Sequence, residues 1–244
     1  MILEACVNSA ISAIEAQAGG ADRVELCENL HDGGTTPSAG SILFARKHLH
    51  IGLYVMIRPR GGDFLYTDDE FEIMKTDIGI ASEMGADGVV FGILLPDGAI
   101  DRERMKVLVD LARPMGVTCH RAFDMTADPF RAMEDLISLV VDRILTSGQQ
   151  PTAPQGETLI RELVLRSAGR IIIMPGSGVK EHNIPRLAET TGVTELHIHL
   201  EKQEASRMQF RQSSVYMGKP GQSEFEHTLT DRSKIRKLRD HQTF

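Results

Sequence analysis

The chain has no tryptophan, only three tyrosines and three cysteines, and no uninterrupted apolar run of about eighteen residues. The missing apolar run leaves no candidate for a membrane-spanning helix, whereas the missing tryptophan decides nothing. Cysteine is scarce and its pattern is negative. Cys6, Cys27 and Cys119 contain no Cys-x-x-Cys pair, so zinc-ribbon and thioredoxin-like sites have no support. An odd cysteine count, after first residues that read as a strand rather than a secretion signal, points to reduced thiols in the cytoplasm. Positive charge is in deficit: 27 Lys and Arg stand against 34 Asp and Glu, a net charge of -7. This argues against general binding to nucleic acid or to an anionic membrane. Nor does a glycine-rich fingerprint follow the first apolar segment, so no nucleotide cofactor is indicated.

What is present is a rhythm. Over 244 residues, short apolar runs at 2–7, 23–27, 53–58, 88–92, 117–121, 143–147, 171–175 and 195–199 alternate with amphipathic stretches. Those stretches lie at 9–18, 38–48, 68–84, 101–113, 129–140, 157–168 and 181–190, and a last helix is expected over 230–240. Several open on good caps: Asn8 or Ser9, Thr67 or Asp68, and Asp128 before Pro129. Eight strands alternating with eight helices predict one α/β domain over residues 1–244, a single (β/α)8 TIM-type barrel. The rhythm does not break at mid-chain, as the rival open doubly wound sheet would lead one to expect. Helices enter their next strands through similar phrases, Gly20-Ala21-Asp22, Gly85-Ala86-Asp87 and Thr191-Gly192-Val193, which suggests repeated units. Residues 201–223 are polar and read as an irregular loop.

Strand side chains alternate between faces, so parity sorts lumen from helix side. Glu4 and Cys6 share one face of the first strand, Glu25 and Cys27 one face of the second, and Met56 and Arg58 one face of the third. His120 shares its face with Thr118, and Glu195, His197 and His199 turn the same way. A barrel interior filled only for packing is mostly Val, Ile and Leu, so this collection of charge has to pair internally or with a ligand. An internal network would set Glu4 and Glu25 against Arg58 and Arg60.

Four constellations carry candidate chemistry. At the third strand exit Arg58-Pro59-Arg60-Gly61-Gly62-Asp63 sets two guanidiniums as an anion fork, or else forms a surface salt-bridge loop. At the fifth, His120 is a candidate general acid or base, with Asp124 or a nearby glutamate setting its tautomer; Cys119 points to the helix side and reads as core. The exits at Thr146-Ser147-Gly148 and Gly176-Ser177-Gly178 could cradle a phosphate with backbone amides, or be plain tight turns. Lastly, if the first two strands are neighbours, equal positions on them lie about 5 Å apart. Cys6 and Cys27 could then hold Cu(I) linearly, a histidine or methionine completing the site, or they could be two small buried residues. His197-x-His199 projects both imidazoles to one side and could contribute to a metal site. The eleven methionines form no dense cluster.

Taken together, the phrases resemble the CutC copper homeostasis family. The resemblance runs from about Leu3 to Met217. It is carried by the stretch from Gly20 to Cys27, by Gly33-Gly34-Thr35-Thr36-Pro37-Ser38, and by Ile57-Arg58-Pro59-Arg60-Gly61-Gly62-Asp63-Phe64. His120-Arg121-Ala122-Phe123-Asp124, Leu145-Thr146-Ser147-Gly148 and Met208-Gln209-Phe210-Arg211 complete it. The chain departs from the family at the eighth strand, where it reads His197-Ile198-His199-Leu200-Glu201 in place of small residues after the histidine position.

The resemblance implies a TIM-type barrel, a cytoplasmic homo-oligomer linked to copper, and a Cu(I) site on the cysteines matching Cys6 and Cys27; His197, from its own place on the eighth strand, is a further candidate ligand. Two classes of function are then expected. One is a copper-handling protein. The other is a metabolic enzyme for a small anionic substrate, phosphorylated or not. In the enzyme, Glu4 or Glu25 works with His120 and Asp124 on protons, while Arg58, Arg60, Ser147, Gly176, Ser177 and Gly178 hold the anion.

Overall fold

Several helices start where a short polar side chain takes up free backbone amides, and strands alternate with helices along the chain. The computed structural model describes residues 1–212, 214–215, 217 and 223–240. Eight strands form the barrel: β1 (Ile2–Val7), β2 (Arg23–Leu26), β3 (Gly52–Met56), β4 (Gly88–Phe91), β5 (Gly116–Cys119), β6 (Arg143–Thr146), β7 (Ile172–Pro175) and β8 (Glu195–Ile198). They lie in the order β7-β6-β5-β4-β3-β2-β1-β8, and every hydrogen-bonded neighbour is parallel. β7 and β8 are the two ends of this order and come together without a ladder: a Cβ on Gly176, just past β7, would stand 3.3 Å from His197 Cβ.

The helices α1 (Ala10–Gly19), α2 (Ala39–His48), α3 (Asp68–Glu83), α4 (Arg102–Ala112), α5 (Pro129–Ser138), α6 (Glu157–Ser167), α7 (Ile184–Thr191) and α8 (Arg232–Asp240) cover the outside. The expected caps hold: Ser9 accepts from Ser12 N–H, Asp128 accepts ahead of Pro129, and Thr67 and Glu70 form a reciprocal capping box. Among the described residues no helix is long and apolar enough to cross a membrane.

The recurring Gly-Ala-Asp phrase has a structural purpose. Gly20 and Gly85 close their helices at φ 98° and 82°, in the left-handed region. The aspartate that follows then reaches sideways to the start of the preceding strand. Asp22 accepts from Leu3 N–H at 2.7 Å, Asp87 from Leu53 N–H at 2.8 Å, and Asp142 from Val117 N–H at 2.7 Å. Each aspartate also pairs with an arginine at the end of a neighbouring helix: Asp87 with Arg46, Asp142 with Arg113, and Asp22 with Arg239 of α8. The last helix therefore serves β1 as α2 serves β3 and α4 serves β5, which is how a repeated unit closes into a ring.

The C-terminal segment differs from expectation. Glu201–Ala205 forms β9 and pairs antiparallel with β10, Glu226–Thr230. β9 is polar and largely exposed, and β10 reaches the body only at its end, where Thr230 is buried and its N–H donates to Ser12 Oγ, so no apolar alternation marks either strand. The last helix begins at Arg232 rather than Thr230, because Asp231 accepts from the amides of Ser233 and Lys234. Residues 213, 216 and 218–222 of the expected loop lie outside the described residues.

Candidate functional site

The lumen is layered, and its lower layer is an ion cluster. Glu4, on β1, accepts from Arg23 Nε at 2.5 Å and from His197 Nδ1 at 2.8 Å. Glu195, on β8, accepts from Arg23 Nη2 at 2.5 Å and from Arg143 Nε at 3.1 Å. Tyr54 lies between the two guanidiniums, whose Cζ atoms sit 4.8 Å (Arg23) and 5.1 Å (Arg143) from the ring centroid. The charges are thus paired internally, but the cations are Arg23 and Arg143 instead of the expected Arg58 and Arg60. Both are the first residues of their strands and share parity with Glu25 and Leu145, so extending the alternation one step back would have found them.

Burial alone would raise the Glu4 carboxyl. Its hydrogen bond from His197 and the nearby Arg23 charge overcome this and hold it at about 2 against an ordinary 4.5. A folded-state pKa below the unfolded one means stability present above about 4.5 and lost as pH falls towards 2, worth about 3 kcal/mol for this fully buried group. The denaturation midpoint is therefore expected to drop steeply across that window. In Glu4→Gln, urea titrations at successive pH values should show a flatter acid limb; an unchanged limb would remove Glu4 as its source.

Above this layer β1 and β2 place Cys6, Glu25 and Cys27. The register pairs Cys6 with Glu25 and Val7 with Leu26, so the two cysteines are not at equal positions as expected; Cys27 stands just past the end of β2. They still converge. One ligand atom from each of Cys6, Glu25 and Cys27 lies within 4.8 Å of the others, and all three residues are buried. Met56 and Val90 form one buried cluster with the two cysteines. A hydrogen bond from Cys27, helped by His197 and His199 against the effect of burial, holds the Cys6 thiol well below its usual pKa. That same bond, with burial and the Glu25 charge, pushes Cys27 up. Burial also raises Glu25.

His197 stands beside this group, its Nε2 3.7 Å from Glu25 Oε2. Burial opposes its charging, but Glu25, Cys6 and Glu4 together hold its pKa well above the ordinary imidazole value. His199 is half exposed at the rim. Its Nδ1 lies 3.3 Å from the Cys6 carbonyl and its Nε2 2.8 Å from Glu201 of β9.

The barrel mouth opens above these groups as a cavity of about 290 Å³. Arg58 and His120 line it, as do Cys6, Glu25, Asp124 and His197. Arg58 is 4% exposed and donates to the carbonyls of Asp32, Gly34 and Gly62 at 2.7–2.9 Å. Arg60 does not join it. It turns outwards to Glu70 at 2.5 Å and Asp63 at 3.0 Å and lies over Tyr66, because the α3 capping box holds the Glu70 carboxylate there. This is the surface salt-bridge arrangement, not a fork of two arginines.

His120 has its tautomer set by Ala122, not by Asp124. The Ala122 N–H donates to His120 Nδ1 at 3.2 Å, leaving the proton on Nε2. Burial and the Arg58 charge hold the ring neutral, with a pKa of about 3. Asp124 sits on the short 3-10 turn Arg121–Met125, which carries it to β6. There it accepts from Thr146 Oγ1 at 2.5 Å, Ser147 N–H at 2.9 Å and Gln149 N–H at 3.1 Å, and pairs with Arg121 at 2.7 Å. The amide cradle expected around Ser147 for phosphate is therefore filled by an internal carboxylate.

Gly176, Ser177 and Gly178 each make a hydrogen bond within the chain. Gly176 N–H donates to Thr146 carbonyl, Ser177 Oγ to Pro151 carbonyl, and Gly178 carbonyl accepts from Asn183 Nδ2, each at 2.9 Å. None of the three lines the mouth cavity. Cys119 is fully buried among apolar groups, and burial together with the Asp124 charge pushes its thiol up to about 12.

Comparison with known proteins bears on this geometry. The sequence profile of the CutC family matches residues 1–202. The human copper homeostasis protein cutC homolog is 48% identical over 238 residues, covering 97% of this chain and 87% of the relative. A family protein CutC from Parabacteroides distasonis is 52% identical over 237 residues, covering 96% of this chain and 98% of the relative. Among solved structures, the putative copper homeostasis protein CutC from Streptococcus agalactiae superposes with a TM-score of 0.77 at 36% identity, covering 81% of this chain and 97% of that one.

Proposed function

The chain belongs to the CutC family, and from that premise we propose that it takes part in copper homeostasis by binding Cu(I) between Cys6 and Cys27. One observation carries the reading. Two soft sulfur donors, neither in a disulfide, converge with a Glu25 oxygen inside 4.8 Å, and Met56 belongs to the same buried cluster. Thiolate and thioether are the donors that select Cu(I) over harder divalent ions. Cys6 reaches the mouth cavity, so an ion can arrive without unfolding the barrel. The lowered pKa of Cys6 favours its thiolate form, and metal binding to Cys27 releases that residue's proton. Here copper is cargo, taken up and handed on, and the reading carries a cytoplasmic location with it, where reducing conditions keep both thiols free.

Titration with Cu(I) against a competing chelator tests this directly. The wild-type chain is expected to hold one ion. The Cys6→Ser/Cys27→Ser variant is expected to lose more than the about 10–100-fold that outer-shell substitutions cost a metal site. Equal affinities would remove the two-thiol site.

A further inference from the structure

Copper leaves the outer part of the mouth unexplained. Three buried side-chain atoms on residues lining the mouth cavity have no hydrogen-bond partner: Arg58 Nε and His120 Nε2 in its outer part, and Glu25 Oε1 deeper in. Buried polar groups are normally satisfied, and each that is not costs free energy.

Arg58 is the sharper anomaly. Three arginines are buried in this chain, Arg23 at 7%, Arg143 at 6% and Arg58 at 4% exposure. The first two have carboxylate partners within 3.1 Å. Among the described residues, no carboxylate forms an ion pair with Arg58; its other nitrogens meet carbonyl oxygens, and the neighbouring Tyr66 hydroxyl is neutral and brings no counter-charge. A buried cation without a counter-charge is costly, and an incoming anion would remove that cost.

The neighbouring donor is fixed in kind and direction. The Ala122 amide holds His120 in the tautomer that presents Nε2–H. Phe64 packs against both groups, its ring 4.9 Å from the His120 ring and 5.0 Å from Arg58 Cζ. Two N–H groups held by one aromatic wall suit the two oxygens of a carboxylate. A phosphate calls for more donors, and the nearest amide cradle is already closed by Asp124. A volume of about 290 Å³ is at or below the low end for ligand pockets and excludes a nucleotide. Deeper in the lumen, Glu25 stands level with Tyr54, four residues below Arg58 on the β3 segment, and offers its free oxygen to a second polar group.

We propose that the barrel mouth binds a small hydroxylated carboxylate. Its carboxylate accepts from Arg58 Nε–H and His120 Nε2–H, and its hydroxyl meets Glu25 Oε1. The carboxylate end of this site lies above the thiols; Glu25 is shared with the copper reading, but binding to metal-free protein does not require copper, so the two readings are tested separately.

Calorimetric titration of metal-free protein with glycolate and with lactate tests it, beside glycolamide and lactamide as uncharged comparators and inorganic phosphate as a separate arm. Saturable binding of one hydroxy acid is expected, with its amide weaker by about tenfold or more, since a hydrogen bond to a charged partner is lost. His120→Gln should weaken the acid by a similar factor, while Arg60→Gln, outside the mouth, should leave it unchanged. The acid–amide comparison needs no variant and stands even if His120→Gln folds poorly. Absence of saturable binding by either acid, equal binding of acid and amide, or binding of phosphate alone would each overturn the proposal.

Discussion

Replacing Arg23 with methionine is expected to destabilise the fold by about 3–5 kcal/mol, read as a lower urea midpoint at unchanged slope. Arg23 bridges Glu4 and Glu195, which are 0% and 3% exposed. Its removal leaves Glu4 with His197 alone and Glu195 with Arg143 alone. The methylene stem of methionine fills much of the space, so the loss comes from uncompensated buried charge and not from a cavity. The variant Arg23→Met/Glu4→Gln separates the two, because neutralising one stranded carboxylate should restore part of the loss. If the single variant costs less than about 1 kcal/mol, the cluster is not a structural element of the barrel floor.

The same cluster shows where reading the sequence succeeds and where it stops. Alternation assigns Glu4, Glu25, His197 and Glu195 to the lumen, and all four are there, because a strand offers only two faces. Alternation is silent on height along the barrel axis. Register sets that, and register placed Cys6 opposite Glu25, so that the sulfurs meet diagonally and a carboxylate joins them. Beyond the strand ends the rule lapses altogether. Arg58 and Arg60 look equivalent in the sequence, yet Arg58 turns inwards to three carbonyls while Arg60 is drawn off by Glu70 at the start of α3. Asp124 looks like a partner for His120 four residues earlier, but the intervening 3-10 turn swings it to the amides of β6. Long-range competition for hydrogen bonds decides such loops, and no local pattern encodes it.

Gly88→Ala is expected to be nearly as damaging as the loss of Arg23, although it adds a single methyl group. In the barrel register Tyr54 pairs with Gly88, and Gly88 with Gly116. The Tyr54 ring lies across both positions: a Cβ on Gly88 would come within 2.2 Å of the ring carbon Cε1, and one on Gly116 within 2.3 Å of the hydroxyl oxygen. The ring cannot step aside, because Arg23 and Arg143 hold it at 4.8 and 5.1 Å and both are tied to buried carboxylates. Nor can the backbone, since β4 is bonded to β3 and β5 at that level. Overpacking of this kind typically costs about 1–3 kcal/mol, and a site with no direction of relief belongs at the top of that range or above it. In a Tyr54→Leu background the same alanine should be tolerated far better, giving a coupling energy of about 1–3 kcal/mol in a double-mutant cycle measured by urea unfolding. Additive effects would show that the glycine serves β4 by itself. Coupling would show that the bare position on β4 exists for the ring that fills it.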